Sequence, residues 1–74
     1  MPKFYSSLFV AKILLANGFD FVSQKGSHQK YRKIDNPTLT VIVPADRKQI
    51  PMGTFRSILR QSGLSENDFE ENKP

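Results

Sequence analysis

The residues of this sequence with the most chemical potential are one histidine and the cations around it. His28 is the only histidine in a chain of 74 residues, and imidazole is the side chain that ordinarily exchanges a proton near neutral pH. The nearby cations are Lys25, Lys30 and Arg32. Because adjacent positive charge makes protonation costly, the ring is expected to stay available as a neutral base. The alternative interpretation is an ordinary surface histidine on a basic strand.

RNA cleavage without a metal needs the parts that this segment contains. A base takes the proton of the ribose 2′-hydroxyl, and cations stabilise the charge that grows on the phosphate oxygens. A glycine beside the base lets the backbone approach a ribose phosphate closely. The candidate substrate-binding residues are Lys25, Gly26, Ser27, Lys30 and Arg32. On spacing alone, a solvated basic strand explains the two later cations equally well.

Composition excludes several other kinds of site. The chain has no cysteine, which removes disulfides, cysteine-based zinc sites and cysteine nucleophiles. One histidine cannot supply a zinc site that needs two imidazoles, so we expect no metal or other cofactor. No apolar run approaches the roughly 20 residues of a membrane span, and no signal peptide is recognised. A cytoplasmic protein without membrane contact is therefore expected.

The charge of the chain is unevenly distributed. Residues 1–65 contain ten basic and three acidic side chains, whereas residues 66–74 contain four acidic side chains and one lysine. A basic body attracts polyanions such as RNA, although small proteins are often basic without binding any. The length allows a single domain over residues 1–74. We expect an ordered core over about residues 4–69 and a flexible tail over 70–74.

The spacing of apolar residues predicts a first helix over about residues 6–17. A serine can cap its start, and Gly18 ends it because glycine adopts the left-handed conformation without steric cost. The apolar stripe expected to face the core consists of Leu8, Ala11 and Leu15, flanked by Val10 and Leu14.

Three strands follow, over residues 19–25, 28–34 and 39–43, and Pro44 stops the last one. The links between them are too short for parallel crossovers, so the strands form an antiparallel meander. In the second strand, alternation places His28, Lys30 and Arg32 on one face and Gln29, Tyr31 and Lys33 on the other. Tyr31 is expected in the core, or on a stacking surface if its face is open.

A second helix is predicted from Gly53, with Thr54 as its cap and Gly63 at its end. Its inward residues are expected to be Phe55, Ile58 and Leu59. Ser65 begins a sequence similar to a capping box, which favours a last short helix. The fold class is α+β, with an α-β-β-β-α order, helices on one face of a three-stranded antiparallel sheet, and the other face open.

Four segments in order resemble the HicA toxins of bacterial toxin–antitoxin pairs. They are Asn17-Gly18-Phe19, Lys25 to Arg32 with its Gly26-Ser27-His28 and Lys30-Tyr31-Arg32 motifs, Val41-Ile42-Val43-Pro44, and Gly53 to Leu64. The similarity covers about residues 6–69. It implies a fold like that of double-stranded-RNA-binding domains. It also implies a metal-independent endoribonuclease that cleaves messenger RNA and arrests translation, with His28 as the catalytic residue and Gly26-Ser27 as the turn that presents it.

The resemblance further implies a HicB-like antitoxin that covers the active site. One difference concerns the mechanism: family members often have a second histidine after the third strand, where this sequence has Asp46. Another group must then protonate the leaving oxygen. Two other functions remain open from the residues alone. One is a non-catalytic RNA-binding module of the same fold, and the other is an interaction protein whose basic face meets an acidic partner.

Overall fold

A computed structural model describes residues 4–71 of the chain as an α+β fold. The elements, in chain order, are α1 (Ser7–Ala16), β1 (Asp20–Lys25), β2 (His28–Lys33), β3 (Leu39–Pro44), α2 (Met52–Ser62) and α3 (Glu66–Glu71). The strands form one antiparallel sheet in the order β1-β2-β3. This arrangement confirms the fold class and the element order expected from the sequence.

α1 and α2 pack against one face of the sheet, α3 packs against these two helices, and the other face of the sheet is open. Tyr31, Val41 and Val43 point to the same face of the sheet, and all three are buried beneath the helices. His28 and Arg32 lie on the other face and are exposed to solvent. Successive side chains of a strand point to opposite faces. A sheet that is covered on one side is therefore expected to bury every second residue and expose the residues between them.

The core is built from aliphatic residues of the sheet and helices together with an aromatic cluster. Its largest completely enclosed side chains are Phe19, Phe69, Leu14, Ile50, Ile58, Val10, Val41 and Val43. Phe69 of α3 packs edge-on against Phe55 of α2 with ring centroids 5.0 Å apart, and Tyr5 contacts both rings. The short C-terminal helix therefore closes the core. It includes residues 70 and 71 of the predicted tail, and residues 72–74 lie outside the described residues.

The apolar stripe predicted for α1 is wrong by part of a turn. Val10, Ile13 and Leu14 are buried, whereas Leu8 is 75 % exposed and Leu15 is 50 % exposed. Nearly every position of this helix is apolar, so periodicity does not identify a single face. A buried polar contact fixes the first turn, where the Ser7 hydroxyl bonds to the backbone of Pro44 at the end of β3 and of Arg47 after it.

The start of α2 also differs from the prediction. The helix begins at Met52 after Pro51, and Thr54 lies inside it. The carbonyl of Pro51 accepts the N–H of Phe55 at 2.9 Å, which makes Pro51 the N-cap although it offers no side-chain bond. The end at Gly63 is confirmed by its φ of 74°. The last helix is confirmed too, since Asp68 accepts the N–H of Ser65 at 2.8 Å.

Candidate active site on the open face of the sheet

His28 is the first residue of β2 and follows a two-residue turn from β1. Lys25 and His28 are register partners at the base of this hairpin, so their Cα atoms lie about 5 Å apart. Gly26 has a φ of 60° and Ser27 does not have a positive φ, which is the φ pattern of a type II′ turn. A Cβ at Gly26 would meet nothing within 4 Å. The turn therefore needs glycine for its φ.

A shallow depression on the open face contains the imidazole and two of the predicted cations. It is lined by Ser23, Lys25, His28, Lys30 and Ile42. Lys30 lies two residues along β2 from His28, about 7 Å between Cα atoms, on the same face. The ring of His28 is exposed. Among the residues that the structure describes, none hydrogen-bonds to the imidazole, so its nitrogens are open to solvent.

Arg32 is on the same face but not in this depression. It lies four residues from His28 along β2, about 13 Å away, and its register partner on β1 is Asp20. Of the predicted cations, the structure therefore brings Lys25 and Lys30 beside His28 and leaves Arg32 at the other end of the strand.

An irregularity in β1 determines which of its residues reach the open face. Phe21 pairs with Tyr31, and the next pair is Ser23 with Lys30, so Val22 is an extra residue. In a strand without this bulge, Phe21, Ser23 and Lys25 would share one face. The bulge leaves Phe21 on the helix side and turns Ser23 and Lys25 toward His28. Sequence analysis missed Ser23 because the bulge has no clear signal in the sequence, and it missed Ile42 because an aliphatic side chain carries no chemical signal.

A chain of side-chain hydrogen bonds supports the turn from the helix side. The Tyr31 hydroxyl donates to Gln29 at 3.0 Å, the Gln29 amide donates to Gln24 at 3.1 Å, and the Gln24 amide donates to the Gly26 carbonyl at 3.0 Å. Burial raises the pKa of Tyr31, which keeps its phenol protonated as the donor at the start of the chain. The buried ring thus fixes the hairpin that presents His28.

A second set of bonds holds the turn from the side of β3. The N–H of Ala45 donates to the Ser27 carbonyl at 2.7 Å, and Pro44 is the register partner of His28. The buried hydroxyl of Ser7 donates to the Pro44 carbonyl and accepts the N–H of Arg47 at 2.9 Å. The imidazole is therefore exposed, but the backbone that carries it is tied to β1, β3 and α1.

Asp46, which stands near the place of a second histidine in similar sequences, lies outside the His28 depression. It has a positive φ of 57° and lines a different groove, beside the first turn of α1. The loop after β3 therefore brings no second acid–base group into the depression. Within β2, Lys30 is the cation closest to His28 on this face.

Between residues 4 and 71, no three side chains of His, Cys, Asp or Glu are grouped as a metal site would require. No helix in the same part of the chain is both long enough and apolar enough to cross a bilayer.

Comparison with known protein families identifies the family of this chain. A family model described as the HicA toxin of bacterial toxin–antitoxin matches residues 10–64 of the 74. The matched segment contains all three strands, α2 and every candidate site residue, and it ends before α3. Comparison with curated proteins finds no match.

Proposed function

Because the chain belongs to the HicA toxin family of bacterial toxin–antitoxin systems, we propose that it is an endoribonuclease that cleaves messenger RNA and arrests translation. It acts without a metal in the cytoplasm, and a HicB-like antitoxin neutralises it. The observation that carries this proposal is the exposed imidazole of His28 in a depression with Lys25 and Lys30, on the face that no helix covers.

In the proposed mechanism, His28 acts as general base. Its neutral imidazole takes the proton of a ribose 2′-hydroxyl, and the 2′-oxygen attacks the adjacent phosphorus. The bond from phosphorus to the 5′-oxygen breaks, which leaves a 2′,3′-cyclic phosphate on one fragment and a 5′-hydroxyl on the other. Lys25 and Lys30 neutralise the charge that develops on the non-bridging oxygens.

The leaving 5′-oxygen needs a proton, and the open face offers three sources. These are the ammonium of Lys30, a bound water, and His28 itself after it has become charged. Each source gives one proton to the 5′-oxygen, which matches the one proton that His28 takes from the 2′-hydroxyl. Gly26 and Ser27 act through the turn, whose backbone they form, and Arg32 binds phosphate further along the RNA.

The proposal is tested by RNA cleavage with purified His28→Ala protein. Removing a general base of this kind costs about 10²- to 10⁴-fold in rate, so cleavage of a messenger RNA transcript should fall by that factor in buffer with EDTA. Circular dichroism checks that the variant is folded. Lys12→Ala, which removes an exposed cation from α1, is the matched control and should cleave normally.

Two results would contradict the proposed catalysis. A folded His28→Ala protein that cleaves at the wild-type rate would remove His28 from the mechanism. Wild-type protein that binds RNA with a steep salt dependence, but neither cleaves it nor stops growth when expressed, would leave a non-catalytic RNA-binding module of the same fold.

The antitoxin proposal has a physical basis as well. The open face carries an excess of positive charge around His28, which an acidic inhibitor would recognise and which would speed its association. We propose that the HicB-like partner covers this face and so excludes RNA from the depression.

A further inference from the structure

A second surface of the molecule, on the helix side of the sheet, is apolar and uncovered. Leu8 and Leu15 are 75 % and 50 % exposed on one side of α1, and Phe21 of β1 is 51 % exposed. Leu8, Ala11 and Tyr31 line the groove between α1 and β2. Phe21 packs edge-on against Tyr31 with ring centroids 5.6 Å apart. Leu8, Ala11, Leu15 and Phe21 form one surface with the buried ring of Tyr31 at its floor, and we name this surface the α1 groove.

The continuity of this surface distinguishes it from ordinary exposed apolar residues. Single exposed side chains are normal on small proteins, and Ile34, which is 79 % exposed on the turn after β2, is one of them. In the α1 groove, by contrast, apolar side chains from a helix and a strand lie next to one another and remain exposed. A contiguous exposed apolar surface of this kind indicates a binding site.

The charges around the α1 groove indicate what binds there. Lys12 is exposed on the same side of α1, between the two leucines, and Arg47 and Lys48 line the groove at its other side. Asp46 is the carboxylate among the lining residues. Pairing of two copies of this chain through the groove would bring these cations together, and like charges oppose such contact. An acidic partner with apolar side chains fits both the groove and its charge.

We propose that the α1 groove is the anchor for an acidic, amphipathic segment of the antitoxin. Its apolar side chains would cover Leu8, Leu15 and Phe21, and its carboxylates would face Lys12, Arg47 and Lys48. The identity of this partner rests on the proposed function. The groove is distinct from the catalytic depression, since Tyr31 and Lys30 are adjacent in β2 and point to opposite faces.

The sheet has one edge around which such a partner can reach both surfaces. On β3, the side chain of Gln61 from α2 accepts the N–H of Ile42 at 2.9 Å. β1 forms the opposite edge of the sheet, and all six of its residues are exposed. A partner anchored in the α1 groove can therefore continue past β1 to the face that carries His28.

The main test is the affinity of Leu8→Glu for the purified HicB-like antitoxin of the proposed function. A carboxylate in an apolar contact is left without a partner, so the dissociation constant should rise at least about 100-fold and neutralisation should fail. Because an acidic side chain is favourable in the first turn of a helix, the variant should fold. Ile34→Glu, with the same charge change on an exposed residue outside the groove, should bind like wild type.

A charge reversal tests the proposed acidity of the segment. Lys12→Glu should slow association with the antitoxin, and the difference from wild type should shrink as salt increases. Arg60→Glu makes the same change in net charge on α2 and should associate as wild type does. Equal effects of the two reversals would show a response to net charge alone and would overturn this part of the proposal.

Other outcomes would reject the groove as the anchor. An unchanged antitoxin affinity of Leu8→Glu would do so. Self-association of the wild type that Leu8→Glu abolishes, without change in antitoxin affinity, would identify a homodimer surface. Binding to vesicles with anionic lipid, lost only in Leu8→Glu, would identify a membrane surface. If wild type binds antitoxin but does not cleave RNA, and Leu8→Glu loses the binding, the docking stands and the proposed catalysis fails.

Discussion

The two faces of the sheet use the same three strands for different purposes. On the helix side, Tyr31, Val41 and Val43 are at most 4 % exposed and belong to the core. On the open side, the neighbouring residues of the same strands are His28, Lys30 and Ile42. Burial of apolar groups on one side stabilises the fold, and the cations of the other side contribute almost nothing to that burial.

This difference means that stability and function should respond to different substitutions. A change on the open side removes charge or a titrating group and leaves the core intact. A change on the helix side removes packed atoms from a small core. Substitutions on the two sides should therefore have separable effects on unfolding and on RNA cleavage.

The largest effect is expected from Phe69→Ala. Phe69 is completely buried against Phe55 and Tyr5, and truncation of a buried phenylalanine costs about 3–5 kcal/mol. That is comparable with the total stability of a small domain, about 5–15 kcal/mol. Urea denaturation should therefore show a mostly unfolded protein or a midpoint that falls sharply. Phe4→Ala, at a half-exposed position, is the control, and equal midpoints for the two variants would contradict the packing described for α3.

The next effect concerns the cations of the open face. Lys30→Gln should weaken RNA binding about tenfold, and the slope of log affinity against log salt should fall by about one, as expected for the loss of one phosphate contact. Arg32→Gln should change cleavage less because Arg32 lies outside the depression of His28. The unfolding midpoints should match that of wild type. A larger loss of cleavage for Arg32→Gln than for Lys30→Gln would contradict this assignment and would place the site nearer to Arg32 on β2.

Two glycines with positive φ provide a matched pair. Gly26 and Gly63 have φ values of 60° and 74°, and a Cβ at either position would meet nothing within 4 Å. Alanine should therefore destabilise both by a similar amount, about 1–2 kcal/mol. Only Gly26→Ala should also slow RNA cleavage under conditions in which both variants are folded. Equal cleavage by the two variants would mean that the turn does not position His28.

The smallest effect is the pH dependence from Tyr31. Burial raises the pKa of its phenol above the ordinary value of 10.0, so the folded protein holds this proton more tightly than the unfolded chain. The free energy of unfolding should then fall as the pH rises above about 10, and the contribution is fully present below that pH. Tyr31→Phe should lack this component when denaturation is compared at pH 8 and pH 10.5. An identical pH dependence in both proteins would contradict the burial effect.

The residues of β2 that lie on the open face were predictable from the sequence, but the residues of β1 that lie beside them were not. Strict alternation places His28, Lys30 and Arg32 together, and the structure confirms their shared face. The same alternation applied to β1 turns Lys25 toward the helices, and only the bulge at Val22 brings it beside His28. A bulge depends on pairing between strands, so the sequence of one strand does not reveal it.

The orientation of α1 and the support of the turn were also beyond the sequence. Apolar residues lie all around α1, and the Ser7 hydroxyl that fixes its first turn bonds to residues of a distant segment. The bonds from Tyr31 through Gln29 and Gln24 to Gly26 need two strands in register. Local spacing shows which residues share a face but not which polar groups meet across strands.

The most direct test of the central claim is the chemistry of the cleaved RNA ends. Wild-type protein should be incubated with a messenger RNA transcript in EDTA, and the product termini should be identified by mass spectrometry. If His28 removes the proton of the 2′-hydroxyl, the 5′ fragment will end in a 2′,3′-cyclic phosphate, and Lys12→Ala will give the same product. A 3′-hydroxyl end from the wild type, or the same yield of cyclic phosphate from folded His28→Ala, would contradict the account.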